Sequence, residues 1–116
     1  MILVRDIFQL RFGSARDAVA LWQEGLQFIR EGHGARDARV LTDLTGPYYT
    51  LVLETTYENL GEFESNGQRV MADARWREWY ARFTPLVESG RREIFTVVGS
   101  SIPSLPTVER ARARQA

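Results

Sequence analysis

Four aromatic side chains lie within the stretch WREWYARFTP at 76–85. Trp76, Tyr80 and Phe83 follow one another at intervals of four and three positions, so on a helix they share one face. Trp79 lies beside that face. A face of this kind fills a hydrophobic core, or it forms the wall of a pocket that holds a flat apolar ligand. The sequence leaves both interpretations open.

If a pocket exists, two more aromatic residues are expected to contribute to it, one from the first predicted helix and one from a strand. The candidate lining residues are then Trp22, Tyr49, Trp76, Trp79 and Tyr80. The second helical region alone carries two indoles and a phenol, which is more aromatic volume than a two-layer core of this size usually needs. Their N–H and O–H groups also need hydrogen-bond partners. Together these rings could cradle a flat apolar molecule.

Three polar residues could supply charge or move protons at such a pocket: Arg5, Asp6 and His33. Asp6 interrupts an otherwise apolar strand pattern, so it is either an edge or bulge position or a functional carboxylate. His33 is the single histidine and follows the first predicted helix. It is either an exposed loop residue favoured by the helix dipole or a general base. For Arg5, with Arg39 and Glu54 also on strands, we expect an ion pair across a dimer barrel in preference to substrate binding.

The composition excludes several kinds of chemistry. The 116 residues include no cysteine, and all 15 basic residues are arginine. Thiolate nucleophiles, cysteine-ligated metals and Schiff-base lysines are therefore absent. One histidine cannot build a two-histidine metal site, and we expect neither a metal nor a cofactor. The stretch GHGARD at 32–37 lacks the third glycine of a dinucleotide-binding turn.

The charge and the hydropathy of the chain limit its partners. The net charge of zero gives no whole-molecule field that would attract nucleic acid or an anionic membrane. No apolar run approaches the roughly 18 residues of a membrane span, and acidic Asp6 interrupts the apolar region that a signal peptide would need. We therefore predict no nucleic-acid partner, no membrane association and a cytoplasmic location.

Hydrophobic periodicity and turn residues predict four strands and two helical regions. The strands are expected at 2–11, 38–43, 48–56 and 92–98, and the helices at 15–31 and from Asn59 to about Glu88, with a break near Asn66 and Gly67. This order is the ferredoxin-like βαββαβ arrangement, an α+β fold in which a four-stranded antiparallel sheet carries both helices on one face. Residues 1–99 are expected to form this single domain, and 100–116 a flexible carboxyl-terminal tail.

The strand patterns leave the second face of the sheet too apolar for open solvent. On the first strand Leu3 and Ile7 share a face with Arg5, and on the third strand Val52 accompanies Glu54. A second copy related by a twofold axis would cover this face and close the two sheets into a barrel. We therefore predict a homodimer.

Two longer stretches, VLTDLTGPYYTLVLETTYENLGEFE at 40–64 and WREWYARFTPLVESGRREIFTVV at 76–98, resemble the small NIPSNAP-like proteins of the dimeric α/β-barrel superfamily. The resemblance covers about residues 1–98 and implies a dimeric α/β barrel. The superfamily includes cofactor-independent antibiotic-biosynthesis-type monooxygenases, haem-degrading enzymes and muconolactone-type isomerases, whose sites usually lie inside each monomer between sheet and helices. Haem-degrading relatives carry a histidine on the second helix, which this sequence lacks. NIPSNAP-like members are generally associated with binding or vesicular roles, and the resemblance implies no catalytic residues here.

The patterns support three hypotheses. The first is a homodimeric NIPSNAP-like module that binds a small apolar or aromatic ligand. The second is a cofactor-independent monooxygenase or isomerase, in which the aromatic residues hold a ring and His33, Asp6 or Arg5 handles protons or charge. The third is a structural domain that binds a partner through its helical face or its arginine-containing tail. The sequence does not decide whether the protein is an enzyme.

Overall fold

The structure is a computed structural model, and it describes residues 1–31 and 35–101. The elements are β1 (Ile2–Leu10), α1 (Ala15–Arg30), β2 (Asp37–Thr42), β3 (Thr50–Tyr57), α2 (Leu60–Ala72), α3 (Ala74–Phe83) and β4 (Val87–Thr96). The four strands form one antiparallel sheet in the order β2-β3-β1-β4. The protein therefore has the predicted α+β, ferredoxin-like fold.

Two parts of the chain, 32–34 and 102–116, lie outside the described residues. The roles suggested for His33 and for most of the tail therefore stay predictions. Among the described residues, no helix is both long and apolar enough to cross a membrane.

The break in the second helical region falls at Asp73, and the predicted break near Asn66 and Gly67 is wrong. The Asp73 side chain accepts a hydrogen bond of 2.9 Å from the Arg75 backbone N–H and so caps α3. Asn66 stays inside α2 because its side chain is buried and hydrogen-bonded to Tyr57 of β3. This tertiary hydrogen bond overrides the local tendency of Asn and Gly to end a helix.

The last strand starts earlier than the sequence predicted. The predicted helix reached Glu88, whereas α3 ends at Phe83. A short 3-10 turn then spans Thr84–Leu86, and β4 begins at Val87. Pro85 explains the difference, because its ring cannot continue an α-helix. As a result β4 pairs with the full length of β1.

The core lies between the sheet and helices α1 and α3. Its buried hydrophobic residues include Val4, Leu10, Ala18, Leu21, Trp22, Leu51, Leu53, Trp79 and Phe83. Gly25 lets α1 approach α3 closely, because a Cβ atom there would lie 2.7 Å from Trp79 Cζ2 and 2.8 Å from Trp22 Cε3. The first helix is therefore held against the third through two indole rings.

Each central strand directs alternate side chains to the two faces of the sheet. On β1, Val4 and Asp6 point toward the helices, whereas Leu3, Arg5 and Ile7 point to the opposite face. The described helices pack on the first face, so the second face is open in a single chain. The mixed apolar and charged character that the sequence predicts for this open face is present in the structure.

Candidate functional site

A cavity of about 440 Å³ lies between the sheet and helices α2 and α3. Its size falls in the range of small-molecule sites, which are usually apolar with a few convergent polar groups. The sheet supplies Asp6, Leu53, Thr55, Tyr57 and Arg92, the two helices supply Phe63, Asn66, Gly67, Val70, Met71, Trp76, Arg77 and Tyr80, and Ile29 and Ala35 complete the lining. This cavity is the candidate site because it combines an aromatic wall with buried polar groups.

The aromatic wall comes from the stretch WREWYARF of α3. Trp76 and Tyr80 stack with their ring centroids 6.4 Å apart and their planes 25° apart, and both rings line the cavity. Trp79 and Phe83, in contrast, are each only 1% exposed and belong to the core. The helix therefore divides its aromatic residues between the two roles that the sequence left open.

The two buried indoles, Trp22 and Trp79, lie in the core and do not line the cavity. Their ring centroids are 4.6 Å apart in an edge-to-face arrangement. Trp79 Nε1 donates a hydrogen bond of 2.8 Å to the Leu21 carbonyl oxygen, whereas Trp22 Nε1 has no partner among the described residues. Trp76 stacks on Trp79 at 4.7 Å, so the core supports the cavity wall from behind.

The floor of the cavity carries an ion pair. Arg92 Nε donates a hydrogen bond of 2.6 Å to Asp6 Oδ1, and the Asp6 side chain is only 15% exposed. The two residues lie opposite each other in a regular part of the β1–β4 register, so Asp6 is not a bulge position. The Arg92 guanidinium also lies 5.1 Å from the centroid of the Phe63 ring. Within the described part of the chain, no group of three or more His, Cys, Asp or Glu side chains could hold a metal ion.

A buried amide and a buried phenol meet at the same cavity. Asn66 Nδ2 donates a hydrogen bond of 2.9 Å to the Tyr57 hydroxyl oxygen. Asn66 Oδ1 is buried and has no hydrogen-bond partner among the described residues. Burial raises the pKa of Tyr57 above its ordinary value of 10.0, so the phenol stays protonated at neutral pH. Asn66 therefore brings a buried acceptor without a hydrogen-bond partner to the lining of the cavity.

The other candidates lie elsewhere. Tyr49 borders a separate depression beside the β2–β3 connection, where its ring meets that of exposed Phe12 at 4.9 Å. Arg5 lies on the open face and pairs with Glu54 of the same chain at 2.9 Å. His33 lies outside the described residues. Of the candidates that the sequence singled out, the cavity brings together Asp6, Trp76 and Tyr80.

Four important lining residues were not among the sequence candidates: Tyr57, Phe63, Asn66 and Arg92. The predicted third strand ended one position before Tyr57, whereas β3 continues to it and every residue from Leu53 to Tyr57 is buried. Asn66 was not a candidate because Asn66 and Gly67 together predicted a helix break, and a residue at such a break is not expected to be buried. Arg92 gave no signal of its own, because its role depends on lying opposite Asp6.

The NIPSNAP family model matches residues 6–102 of the sequence. The fold is similar to that of an uncharacterized NIPSNAP-like domain protein from Burkholderia xenovorans, with 22% identity, a TM-score of 0.78 and coverage of 93% of this chain and 96% of that one. It is also similar to a NIPSNAP family protein of unknown function from Agrobacterium tumefaciens, with 19% identity, a TM-score of 0.79 and coverage of 90% and 94%.

A further solved structure with a similar fold is described as an antibiotic biosynthesis monooxygenase, with 11% identity, a TM-score of 0.69 and coverage of 85% of this chain and 100% of that one. No curated protein matches the sequence. At these identities the similarity to solved structures shows the fold alone.

Proposed function

The chain belongs to the NIPSNAP family, and we propose that it is a homodimeric α/β-barrel protein that binds a small, largely apolar ligand in the cavity between the sheet and α2 and α3. The observation that carries the proposal is the composition of that cavity. The stacked rings of Trp76 and Tyr80 line the same space as Asn66, whose buried side-chain oxygen has no partner among the described residues. An apolar wall with a few buried polar groups is typical of a ligand site.

The polar groups indicate which ligand the cavity favours. The Asn66 side-chain N–H donates to Tyr57, but its buried carbonyl oxygen accepts no hydrogen bond from the described residues. A buried acceptor without a donor lowers the stability of the protein by about 1–3 kcal/mol. A ligand with one hydroxyl or N–H group would satisfy this oxygen while its ring packs against Trp76. We therefore expect an aromatic alcohol or amine to bind more tightly than the matching hydrocarbon.

Calorimetric titrations with 1-naphthol and naphthalene test this expectation. We expect 1-naphthol to bind the wild-type protein about tenfold more tightly, because a hydrogen bond to a buried acceptor contributes about 1.4 kcal/mol. Asn66→Leu should abolish the preference, since leucine occupies a similar volume without accepting a hydrogen bond. Equal affinities of the wild-type protein for the two probes would contradict the role assigned to Asn66.

A variant that fills the cavity tests the location of the site. Gly67 lines the cavity, and a Cβ atom there would meet no atom within 4 Å, so Gly67→Phe has room for a ring. Ser65→Phe is the matched control, because Ser65 is exposed on the same helix and does not line the cavity. We expect Gly67→Phe to weaken 1-naphthol binding at least tenfold and Ser65→Phe to leave it unchanged. Undiminished binding by folded Gly67→Phe would place the site elsewhere.

A second candidate function is cofactor-independent oxygenation. It is supported by the fold similarity to the structure described as an antibiotic biosynthesis monooxygenase and by the Asp6 carboxylate in the cavity. In such a reaction Asp6 would accept the phenol proton, and O₂ would oxidise the ring to a quinone, with one oxygen atom entering the ring and the other leaving as water. Asp6 is already held by Arg92, which favours a binding role over proton abstraction.

An oxygen electrode separates these two functions. Oxygen uptake with 1-naphthol that is lost in Asp6→Asn, at unchanged 1-naphthol affinity, would support the enzyme. Uptake no greater than in buffer would leave binding as the function.

The homodimer is supported by the open face of the sheet. Ile7 and Val52 lie side by side there, and Phe95 of β4 remains 43% exposed on the same face in a single chain. An exposed sheet face that carries apolar side chains of this kind usually marks an interface. Native mass spectrometry of the purified protein measures the subunit count. We expect a dimer, and a monomer at micromolar concentration would contradict this part of the proposal.

A further inference from the structure

Four charged residues of alternating sign form one row across the open face of the sheet. Glu54 of β3 lies opposite Arg39 of β2 on one side and opposite Arg5 of β1 on the other. Arg5 in turn lies opposite Glu93 of β4. Residues that lie directly opposite each other on neighbouring strands share a face. The row therefore runs plus, minus, plus, minus from one edge strand to the other, and we call it the charge row.

Within one chain the charge row is only partly paired. Glu54 accepts a hydrogen bond of 2.9 Å from Arg5 Nε at one carboxylate oxygen and another of 2.9 Å from Arg39 Nε at the other. Its side chain is only 8% exposed. The Glu93 carboxylate makes no ion pair or hydrogen bond with another side chain among the described residues. One carboxylate of the row thus holds two guanidinium groups, and the other holds none.

Apolar side chains flank the charge row on both sides. Ile7 lies opposite Val52 on one side of the row, and Leu3 lies opposite Phe95 on the other. At the two edges of the sheet these flanking rows end in charged residues, Arg91 of β4 and Asp37 of β2. A molecule that covers the centre of this surface must be apolar over the flanks and must place an opposite charge over each charge of the charge row. A mismatch would bury a charge without a partner, which is strongly destabilising.

We propose that the charge row sets the geometry of the proposed homodimer, whose twofold axis then lies between the two sheets and runs parallel to the strands. Such an axis reverses the order of the strands across the sheet, so β2 meets the partner's β4 and β3 meets the partner's β1. It leaves positions along the strands unchanged, so each row of residues faces the same row of the partner. Arg39 then faces the partner's Glu93, and Glu54 faces the partner's Arg5. Every charge of the charge row then faces an opposite charge of the partner's charge row. Glu93 gains the guanidinium partner that it lacks within its own chain.

The alternative twofold axis, perpendicular to the strands, matches the charges poorly. It keeps the order of the strands, so each strand faces its own copy. If the axis passes through the charge row, Glu54 faces the partner's Glu54 and like charges oppose each other. If the axis passes beside the charge row, the charged residues face aliphatic residues and are buried without partners. Under the parallel axis, in contrast, Val52 packs on the partner's Ile7. The inference rests on the proposed homodimer and adds the residues that select the partner and the axis.

Mixing the wild-type protein with the double variant Arg39→Glu/Glu93→Arg tests the axis. In either homodimer, opposite charges still face each other across the parallel axis. In the mixed dimer, arginine faces arginine and glutamate faces glutamate. The double variant has the same composition as the wild type, so one protein is labelled with ¹⁵N, and native mass spectrometry counts the species after subunit exchange.

We expect the mixed dimer to fall from its statistical share of about one half to below about one fifth, because like charges that face each other across an interface are strongly disfavoured. A mixed share above one half would indicate the perpendicular axis, and a share of one half would place the charge row outside the interface. Either result overturns the inference. A wild-type protein that is monomeric on its own would overturn the homodimer itself, so the two failures are distinguishable.

Crosslinking provides a second test that does not depend on the folding of the double variant. Because the chain has no cysteine, Arg39→Cys and Glu93→Cys each introduce a single thiol, one on each edge strand. A short bismaleimide should join a mixture of the two variants into covalent dimers and should leave each variant alone largely unlinked. No covalent dimer in the mixture, or equal yields from one variant alone, would overturn the inference.

Discussion

At the scale of single residues, Trp22 and Trp79 can be compared directly, because both indoles are almost fully buried in one hydrophobic cluster. They differ in hydrogen bonding, since only Trp79 Nε1 has a partner, the Leu21 carbonyl oxygen. We expect Trp79→Phe to lower the free energy of unfolding by about 1 kcal/mol more than Trp22→Phe does. Only the Trp79 substitution removes a hydrogen bond, because the Trp22 N–H has no partner among the described residues. Urea denaturation of the two variants measures this difference. Equal losses, or the reverse order, would contradict the assigned hydrogen bond.

Two glycines within helices are expected to respond to alanine in opposite directions. A Cβ atom at Gly25 would lie within 2.8 Å of two buried indole rings, whereas one at Gly67 would meet nothing within 4 Å. Gly25→Ala should therefore destabilise the protein by about 1–3 kcal/mol through overpacking. Gly67→Ala should stabilise it by about 0.5–1 kcal/mol through helix propensity. Thermal unfolding of both variants checks the two signs, and a neutral Gly25→Ala would mean that the indoles have room to move.

At the scale of elements, the two long helices begin differently. The Asn59 side chain accepts a hydrogen bond of 2.9 Å from the Glu62 backbone N–H and caps α2, whereas Ser14 before α1 makes no capping hydrogen bond through its side chain. Asn59→Ala should therefore lower the free energy of unfolding by about 1 kcal/mol, and Ser14→Ala should change it little. Denaturant unfolding of both variants tests this, and a loss at Ser14 as large as at Asn59 would contradict it.

The order of the elements could be predicted because each strand and helix carries its own periodicity and its own turn residues. The break within the second helical region could not. At Asn66 and Gly67 the local preference favours a break, but the hydrogen bond to Tyr57, a residue on another element, keeps the helix intact. The capping role of Asp73 decides where the chain breaks instead.

The candidate site could be predicted only in part. Trp76 and Tyr80 share a helix face that the spacing of aromatic residues shows directly. The floor of the cavity depends on the strand register, which brings Arg92 opposite Asp6 although the two are far apart in sequence. No pattern of spacing within one segment could indicate this pair.

At the scale of the whole molecule, the cavity and the charge row lie on opposite faces of one sheet. Successive residues of β1 point to the two faces, since Asp6 lines the cavity and Arg5 belongs to the charge row. We therefore expect the double variant Arg39→Glu/Glu93→Arg to keep its 1-naphthol affinity within about twofold. Gly67→Phe should likewise remain dimeric. Calorimetry and native mass spectrometry measure both properties, and loss of the dimer in Gly67→Phe would show that the two faces are coupled.

The three tryptophans test in one titration whether the cavity beside Trp76 binds a small aromatic molecule. Each indole N–H gives its own signal in a ¹H–¹⁵N spectrum. As 1-naphthol is added, we expect the Trp76 signal to shift most, because only this indole lines the cavity, while the signal of the core residue Trp22 stays nearly in place. No shift of the Trp76 signal at millimolar 1-naphthol, or equal shifts of all three signals, would contradict binding in this cavity.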